Sequence, residues 1–431
     1  MSDSRVNIGL LGCGTVGSAL VGLIEAEHDE IFARTGLDLE VTRVAVRNLS
    51  AHRAVELPDG VLTRDTQGIV SDPDVDLVVE LIGGIEPARS LIATALTGGK
   101  PVVTGNKDLI ANCGRELTAA ATEGGVELLY EAAVAGGIPL LRALRESLAG
   151  ERIHRIMGIV NGTTNFILTK MTEEGADYGA TLSEAQQLGY AEADPTADVE
   201  GHDAGAKAAI LAAIAFGADV VQGDVATEGI SQLTPADIAA ATRMEHVIKL
   251  LAIVEDVDGE IAVRVHPTMV PAHHPLAAVR DSFNAVFVEG EAVGELMLYG
   301  RGAGGDPTAS AVLGDVIAAA AALRRGTGGS AAPLREVTLR PIDETASAFY
   351  VPMDVRDRPG VLADVAGVFG RHGVSIRSME QEGQGGEAHL VFITHRAREA
   401  DFRSTLDDLS ELDAVIGVGA PIRVIGDGGD E

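Results

Sequence analysis

Asp203 and Lys207 stand four residues apart in the run Gly201-His-Asp-Ala-Gly-Ala-Lys-Ala-Ala-Ile210. On a helix that spacing puts both side chains on one face. A surface ion pair is its ordinary meaning. Two features set this pair apart. Lys207 opens the apolar run Ala208-Ala-Ile-Leu211, and the segment before it, Gly189-Tyr-Ala-Glu-Ala-Asp-Pro195 through Asp198 and Glu200, is crowded with carboxylates. A lysine beside carboxylates at the edge of a buried helix can give a proton to a developing alkoxide. The carboxylates can hold a substrate ammonium.

A second constellation lies near the N-terminus. Gly12-Cys-Gly-Thr-Val-Gly17 follows an apolar strand and opens a helical pattern. Gly12 makes the tight turn, Gly14 lets backbone amides approach a pyrophosphate, and Gly17 lets helix and sheet pack closely. The helix start, Thr15 and Val16, turns its unpaired N–H groups toward the phosphates. At the end of the second strand a carboxylate for the adenosine ribose is expected, but the residues are Val46-Arg47-Asn48. A guanidinium suits a 2′-phosphate, so Arg47 points to NADP in preference to NAD, against the plainer reading of an exposed arginine. Val102-Val-Thr104-Gly-Asn-Lys107 places polar groups at the carboxyl end of another strand, where open α/β sheets bind ligands. Cys13 reads as a small packing residue. The pair His273-His274 lacks partners at metal-ligand spacing and reads as a loop feature.

The elements that must position these groups alternate. Strands are expected at Val6–Leu11, Leu39–Val46, Asp76–Leu81, Pro101–Thr104 and Val126–Tyr130, with helical patterns between, the first from Thr15 to about Arg34. This order implies a doubly wound parallel sheet. From about Ile138 a mixed α/β region begins. It comprises a helix at Pro139–Leu148, a strand at Ile153–Val160, a buried helix at Gly201–Phe216, strands from Val247 to Leu298 and a helix at Pro307–Arg325. Arg325-Gly-Thr-Gly-Gly-Ser-Ala-Ala-Pro333 has the composition of an interdomain linker. Ser347–Val424 reads strand, helix, strand, strand, helix, strand, a ferredoxin-like order. The Gly/Asp-rich tail Gly426–Glu431 is expected to be disordered.

Composition sets the frame. A chain of 431 residues exceeds one hydrophobic core and implies two to three domains. No apolar run reaches the roughly 18 residues of a membrane span, and Met-Ser-Asp-Ser-Arg lacks a signal-peptide pattern. Cys13 and Cys113 alone imply no disulfide framework and a reducing compartment, so the expected location is cytoplasmic. A net charge of −31 repels nucleic acid and anionic membranes and argues against both as partners. Only five of the 33 basic residues are Lys, which gives weight to Lys107 and Lys207.

Taken together, the glycine turn, the Thr-x-Asn-Lys segment, the Gly-Tyr-x-Glu-x-Asp-Pro loop and the Asp-x-x-x-Lys helix resemble, in order and spacing, the homoserine dehydrogenases, over about residues 5–325. The resemblance implies a Rossmann-type dinucleotide-binding domain (1–137) and a mixed α/β catalytic domain (138–325). The implied activity is NAD(P)H-dependent interconversion of L-aspartate 4-semialdehyde and L-homoserine. It implies Lys207 as proton donor and acceptor, with Lys107 near cofactor and substrate. Glu192 and Asp203 would hold the amino acid. Gly189 and Gly304 would contact the cofactor, beside Gly12, Gly14, Thr15, Val16, Gly17, Arg47 and Thr104. It also implies a monovalent cation, Na+ or K+, held largely by backbone carbonyls at Glu131, Val134, Gly136 and Ile138. By residue pattern alone that segment is a strand-to-helix turn.

After a linker at 326–346, residues 347–425 resemble an ACT domain, an amino-acid-binding regulatory module. The match lies in Val355-Arg-Asp-Arg-Pro-Gly-Val-Leu362 and Gly373-Val-Ser-Ile376. The implied effector is threonine first, with methionine or isoleucine behind it. The implied assembly is a homodimer or homotetramer. Two rivals stand beside this reading. One is another ACT-bearing dehydrogenase, of a kind that typically uses a catalytic histidine, although His202, next to Asp203, points elsewhere on its helix. The other is a non-catalytic amino-acid sensor on the same fold.

Overall fold

The computed structural model describes residues 4–329 and 334–426. Ser330–Pro333 of the expected linker and residues 427–431 of the expected tail lie outside them. The chain opens with β1 (Arg5–Leu11), α1 (Thr15–Ala26), α2 (His28–Thr35), β2 (Asp38–Ala45), β3 (Leu62–Thr63), α3 (Thr66–Ser71), β4 (Leu77–Glu80), α4 (Ala88–Thr97), β5 (Val102–Thr104), α5 (Lys107–Gly124) and β6 (Leu128–Leu129). It continues with β7 (Ile153–Ile159), α6 (Gly162–Glu174), α7 (Tyr178–Gln187), α8 (Thr196–Val199), α9 (His202–Phe216), β8 (Ala226–Thr227), α10 (Pro235–Arg243), β9 (His246–Val257) and β10 (Glu260–Pro271). Next come β11 (Phe283–Gly290), β12 (Gly294–Arg301), α11 (Gly305–Arg325), β13 (Ala346–Arg356), α12 (Val361–Arg371), β14 (Ile376–Gln384) and β15 (Glu387–Thr394). The chain closes with β16 (Ala397–Arg398), α13 (Glu399–Ser410), β17 (Val415–Val418) and β18 (Ile422–Val424).

Two compact units form. The first comprises Met1–Ile156, Gly205–Val225 and Phe283–Val337. Its centre is a six-stranded sheet in the order β3-β2-β1-β4-β5-β6 with every pairing parallel. This is the expected doubly wound sheet. The strand order reverses between β1 and β4, so the crevice at their carboxyl ends is where such a sheet takes a ligand. Ile8, Leu10, Leu77, Val79 and Val103 of the sheet pack with Leu20 and Val21 of α1 and with Val312, Val316, Ala319 and Ala320 of α11. By length and hydropathy α11 is apolar enough to cross a membrane, a case the expectation of no such run did not cover. Its alanines instead let it lie close against α1 and the sheet, and Val312, Val316, Ala319 and Ala320 are fully buried.

Two expected helices differ. The pattern from Thr15 to Arg34 breaks at Glu27, where α1 ends, and a second short helix starts at His28 with Asp29 and Glu30 in its first turn. The helix expected from Pro139 starts only at Leu141 and runs as a π-helix over Ala143–Ser147. Its delayed start has a cause. The Glu131 carboxylate accepts from the amides of Leu141 and Arg142, at 2.8 and 2.7 Å, and so defines the helix N-terminus.

The second unit comprises Met157–Ala204, Ala226–Ser282 and Thr338–Glu431. β9 and β10 form a long antiparallel hairpin. The C-terminal module has the order β18-β13-β15-β14 with β17 also on β13, the ferredoxin-like arrangement expected. Phe349, Val351, Val365, Phe369, Phe392 and Phe402 fill its core. Its last strand comes in two pieces rather than one: Gly419 still donates to the Pro352 carbonyl of β13 at 2.8 Å, but Pro421 has no N–H to give the ladder, and pairing resumes at Ile422. The second piece, β18, pairs parallel with β10, so the module's sheet and the β9–β10 hairpin are one continuous surface.

Candidate active site

At the β1–α1 turn each glycine has a distinct physical reason. Gly12 has φ 100°, and a Cβ there would sit 2.6 Å from the Leu81 carbonyl oxygen. A Cβ on Gly17 would sit 2.4 Å from the Gly12 carbonyl oxygen, whereas Gly14 faces open space. No side chain caps α1 at Gly14, and its first turn carries no acidic residue. The positive end of the helix is therefore left for an anion. A cavity of about 750 Å³ opens there, lined by Gly14, Thr15, Ser18, His52, Arg53, Gly305 and Asp306 among others. Gly304, at φ 131°, starts α11, and a Cβ on Gly305 would lie 3.2 Å from Thr15 Cγ2, so two helix N-termini adjoin. This open helix end, free of a competing carboxylate in its first turn, fits a pyrophosphate.

Arg47 is exposed and is not among the residues lining this cavity; Arg53 is. The Arg53 guanidinium donates to the carbonyls of Asn48, Leu49 and Ala51 at 2.5, 3.3 and 2.9 Å, tying up the loop after β2. Its Nε is buried without a partner.

Across the strand reversal, Glu80 at the end of β4 is fully buried. It accepts from the amides of Ile82 and Gly83 and, at 2.6 Å, from the Thr104 hydroxyl. Thr104 Oγ1 in turn accepts from the Asn106 amide, Asn106 caps α5 through the Leu109 amide, and its Nδ2 donates to the Gly84 carbonyl. This network fixes the first residue of α5, which is Lys107. Thr104 thus holds the turn through its side chain. Glu80 gave no signal in the sequence, since a carboxylate ending a buried strand looks like any other strand end.

The second unit carries the acidic groups. Asn161, buried, caps α6 by accepting from the Thr164 amide. Its Nδ2 donates to Asp198 Oδ1 at 2.7 Å and to Asp203 Oδ2 at 2.9 Å. One amide therefore gathers the carboxylate of α8 and that of α9. Thr163, two residues on, donates to the Tyr190 carbonyl at 2.6 Å and so fixes the Gly189–Pro195 loop. Gly189, at φ 77°, and Glu192 are exposed on that loop, and Gln186 braces it through the carbonyls of Glu192 and Ala193. Asp194 accepts from the amide and hydroxyl of Thr196, which holds its carboxyl below the usual range. Lys207 follows Asp203 by one turn of α9, half-buried between the buried Ala206 and Ala208. Asn161 is a functional candidate that spacing rules did not find, and it singles out Asp198 from the crowd of carboxylates before Lys207.

The segment Glu131–Ile138 is a tight turn, with Ala135 at φ 53° and Gly136 so placed that a Cβ would sit 2.6 Å from the Gly302 carbonyl oxygen. The Glu131 carboxylate is spent on helix amides, so the turn offers a hard cation its backbone oxygens. Burial raises the pKa of Glu131 against the opposing pull of the Arg142 and Leu141 amides, and the nearby Asp315 raises it further. Asp315, 1% exposed, accepts from the Glu131 amide and from Arg142 at 2.7 Å each. Among the described residues no cluster of three His, Cys, Asp or Glu side chains is poised for a metal.

In the C-terminal module, Asp357, Arg358, Pro359, Gly360 and Leu362 line a cavity of about 390 Å³ together with Gln381. Gly360, at φ 96°, begins α12 with no side-chain cap.

The family model for the homoserine dehydrogenase NAD-binding domain matches residues 12–131, that for homoserine dehydrogenase matches 139–317, and that for the ACT domain matches 351–414. A homoserine dehydrogenase of Corynebacterium glutamicum is 49% identical over 430 residues, covering 98% of this chain and 96% of its own. A crystal structure of a homoserine dehydrogenase from Thiobacillus denitrificans superposes with a TM-score of 0.92 at 42% identity, covering 98% of each chain. A hyperthermophilic archaeal homoserine dehydrogenase in complex with NADPH superposes with a TM-score of 0.63 at 32% identity, covering 73% of this chain and 97% of its own. The parallel sheet with its open helix end, the acidic loops around Asn161 and these likenesses converge: the chain belongs to the homoserine dehydrogenase family, nicotinamide-dependent oxidoreductases, and carries an ACT domain at its C-terminal end.

Proposed function

We propose that Lys207 moves the proton in the interconversion of L-aspartate 4-semialdehyde and L-homoserine, while Asp203 and Glu192 hold the amino acid's ammonium. The bound nicotinamide supplies or accepts the hydride at the aldehyde carbon. In the reducing direction Lys207 gives a proton to the carbonyl oxygen as that oxygen gains charge, and in the oxidising direction it takes the proton back. A cationic lysine poised at the site of developing negative charge lowers the barrier most at the transition state. The observation that carries this reading is the tie from Asn161 to Asp203, one helical turn before Lys207. An amide that orders a carboxylate beside a half-buried lysine is costly to keep for packing alone.

Gly12, Gly14, Thr15, Val16, Gly17, Gly189 and Gly304 are the proposed cofactor contacts, with Thr104 and Lys107 at the nicotinamide end. The end of β2 and the residues next to it, Val44–Asn48, carry no carboxylate, and with Arg47 and Arg53 on the following loop this supports NADP(H) over NAD(H). Backbone carbonyls of Glu131, Val134, Gly136 and Ile138 are the proposed Na+ or K+ ligands, supported by the turn's shape. The ACT pocket at Asp357–Leu362 is the proposed threonine site. We further propose domains at 1–137, 138–325 and 347–425, a cytoplasmic location, and a homodimer or homotetramer. The deciding experiment is addition of L-aspartate 4-semialdehyde to purified protein with NADPH. Stoichiometric loss of NADPH with formation of L-homoserine is expected, and no turnover with either nicotinamide would overturn the assignment.

A further inference from the structure

β8 and β18 lie end to end along one edge of β10: Ala226 and Thr227 pair with Arg264 and Val265, and Arg423 and Val424 pair with Thr268 and Met269. Glu228 leaves β8 at the point where β18 arrives. Arg423, 7% exposed, grips it with a bidentate pair at 2.7 and 2.8 Å, and binds Glu399 of α13 through Nε and Nη2. Arg423 and Glu399 belong to the ACT module, and Glu228 does not.

From Glu228 the path is short. Its amide donates to the Val265 carbonyl at 2.8 Å. The next residue, Gly229, lies so close to α8 that a Cβ would sit 2.3 Å from the Val199 carbonyl oxygen and 2.5 Å from Glu200 Cα. Ile230 then donates to the Val199 carbonyl at 2.8 Å. Gly201, between α8 and α9, rests on Thr227, where a Cβ would meet Cγ2 at 2.9 Å. Residues 199–202 join Asp198 to Asp203, the two carboxylates that Asn161 gathers.

We infer that Glu228 and Arg423 are positioning residues for the carboxylates of Asp198 and Asp203, and that this ion pair is the joint through which the ACT module sets the α8–α9 corner. A bidentate arginine pair fixes direction as well as distance, so a small rotation of β18 moves Glu228 with it. Contact this tight has no slack to absorb such a shift before it reaches Asp198 and Asp203. The inference rests on the reading that Asp203 holds the substrate.

The test uses the full-length protein with Glu228→Gln and Arg423→Lys. Glu228 is half-exposed, so its variant is expected to fold even where a change at the buried Arg423 does not. The KM for L-aspartate 4-semialdehyde should rise roughly tenfold, with kcat and the KM for NADPH within about twofold of wild type. Amide hydrogen exchange over residues 196–204 should quicken in the same variants while the first unit keeps its protection. A folded Glu228→Gln protein with unchanged substrate KM and unchanged exchange in that segment would overturn the inference, as would a uniform loss of protection without a KM shift. If the wild type itself fails to use the semialdehyde, the functional reading falls, and local exchange at 196–204 still decides the coupling.

Discussion

Asn161 and Asp203 are joined by a 2.9 Å hydrogen bond from an amide nitrogen that also holds Asp198. Asn161 does two jobs, since its Oδ1 caps α6. Asn161→Ala is expected to raise the KM for L-aspartate 4-semialdehyde by roughly tenfold or more and to lower stability by about 1 kcal/mol through the lost cap. Asn161→Ser separates the two jobs. Serine can still cap the helix, but its single hydroxyl cannot bridge both carboxylates. Stability should return while KM stays high, as steady-state kinetics and urea unfolding on the same preparations would reveal; recovery of both would mean that the bridge is irrelevant to substrate.

Lys207 sits one turn beyond Asp203, half-buried in a run of alanines. Lys207→Ala is expected to lower kcat by roughly a hundredfold or more with little change in NADPH affinity, the signature of lost acid–base catalysis. Near-normal turnover would remove the lysine from the mechanism.

The loop after β2 offers two arginines with different surroundings. Arg47 is exposed, whereas Arg53 binds three carbonyls of its own loop and lines the cavity at the start of α1. Arg47→Ala should weaken NADPH by about 1.5–3 kcal/mol relative to NADH if its charge meets the 2′-phosphate. Arg53→Ala should weaken both cofactors, because the whole loop loosens. Fluorescence titration with each cofactor distinguishes these outcomes, and a selective NADPH defect at Arg53 rather than Arg47 would reverse the assignment.

What the sequence made legible follows from how local each signal is. The β1–α1 turn needs glycine at Gly12 for its positive φ and at Gly17 for close packing, while Gly14 leaves open space for a ligand, so the three can be read from their local spacing without a fold. The Asp203–Lys207 relation is set by one helical turn and was equally readable. Asn161, Glu80 and Arg423 were not, because their partners lie 42, 24 and 195 residues away and only the tertiary fold brings them together. Arg53 was overlooked for a related reason. It binds nearby carbonyls through loop geometry that no periodicity describes.

Lys249 provides a pH signature. Its ammonium, 3% exposed on β9, donates to Asn165 Oδ1 and the Val279 carbonyl. Burial lowers its pKa from 10.5 to about 8, despite the opposing pull of Glu173. Below pH 8 the folded state carries a charge that the unfolded chain solvates better. Between about 8 and 10.5 the unfolded chain binds more protons, so unfolding free energy gains from this group as pH rises, by up to about 3 kcal/mol. Lys249→Met should lose that gain, and the difference between its urea midpoint and that of wild type should narrow or reverse with falling pH. A pH-independent difference would show that Lys249 titrates as an ordinary lysine.

Truncation after Gly329 tests how far the ACT module is separable. Every proposed catalytic and cofactor residue precedes that point, and the archaeal relative, which covers only 73% of this chain, is a homoserine dehydrogenase of shorter length. Chemistry should therefore survive. The joint, however, is not a loose tether. Arg335 exchanges backbone hydrogen bonds with Gly217 and Asp219, Arg340 donates to the Ile261 carbonyl, and β18 covers an edge of β10. Removing residues beyond 329 strips these bonds and leaves a strand edge that favours association. The truncated protein is expected to keep kcat within a few-fold, to melt several degrees lower, and to self-associate more readily than the full chain. It should also lose any inhibition by L-threonine that the full chain shows, because an effector acts only through a state it binds preferentially. Melting temperature, light scattering and turnover with and without L-threonine decide the matter together. A truncated enzyme as stable as the full chain would mean that the β10–β18 edge contributes little, and persistent threonine inhibition would move the effector site out of the ACT module.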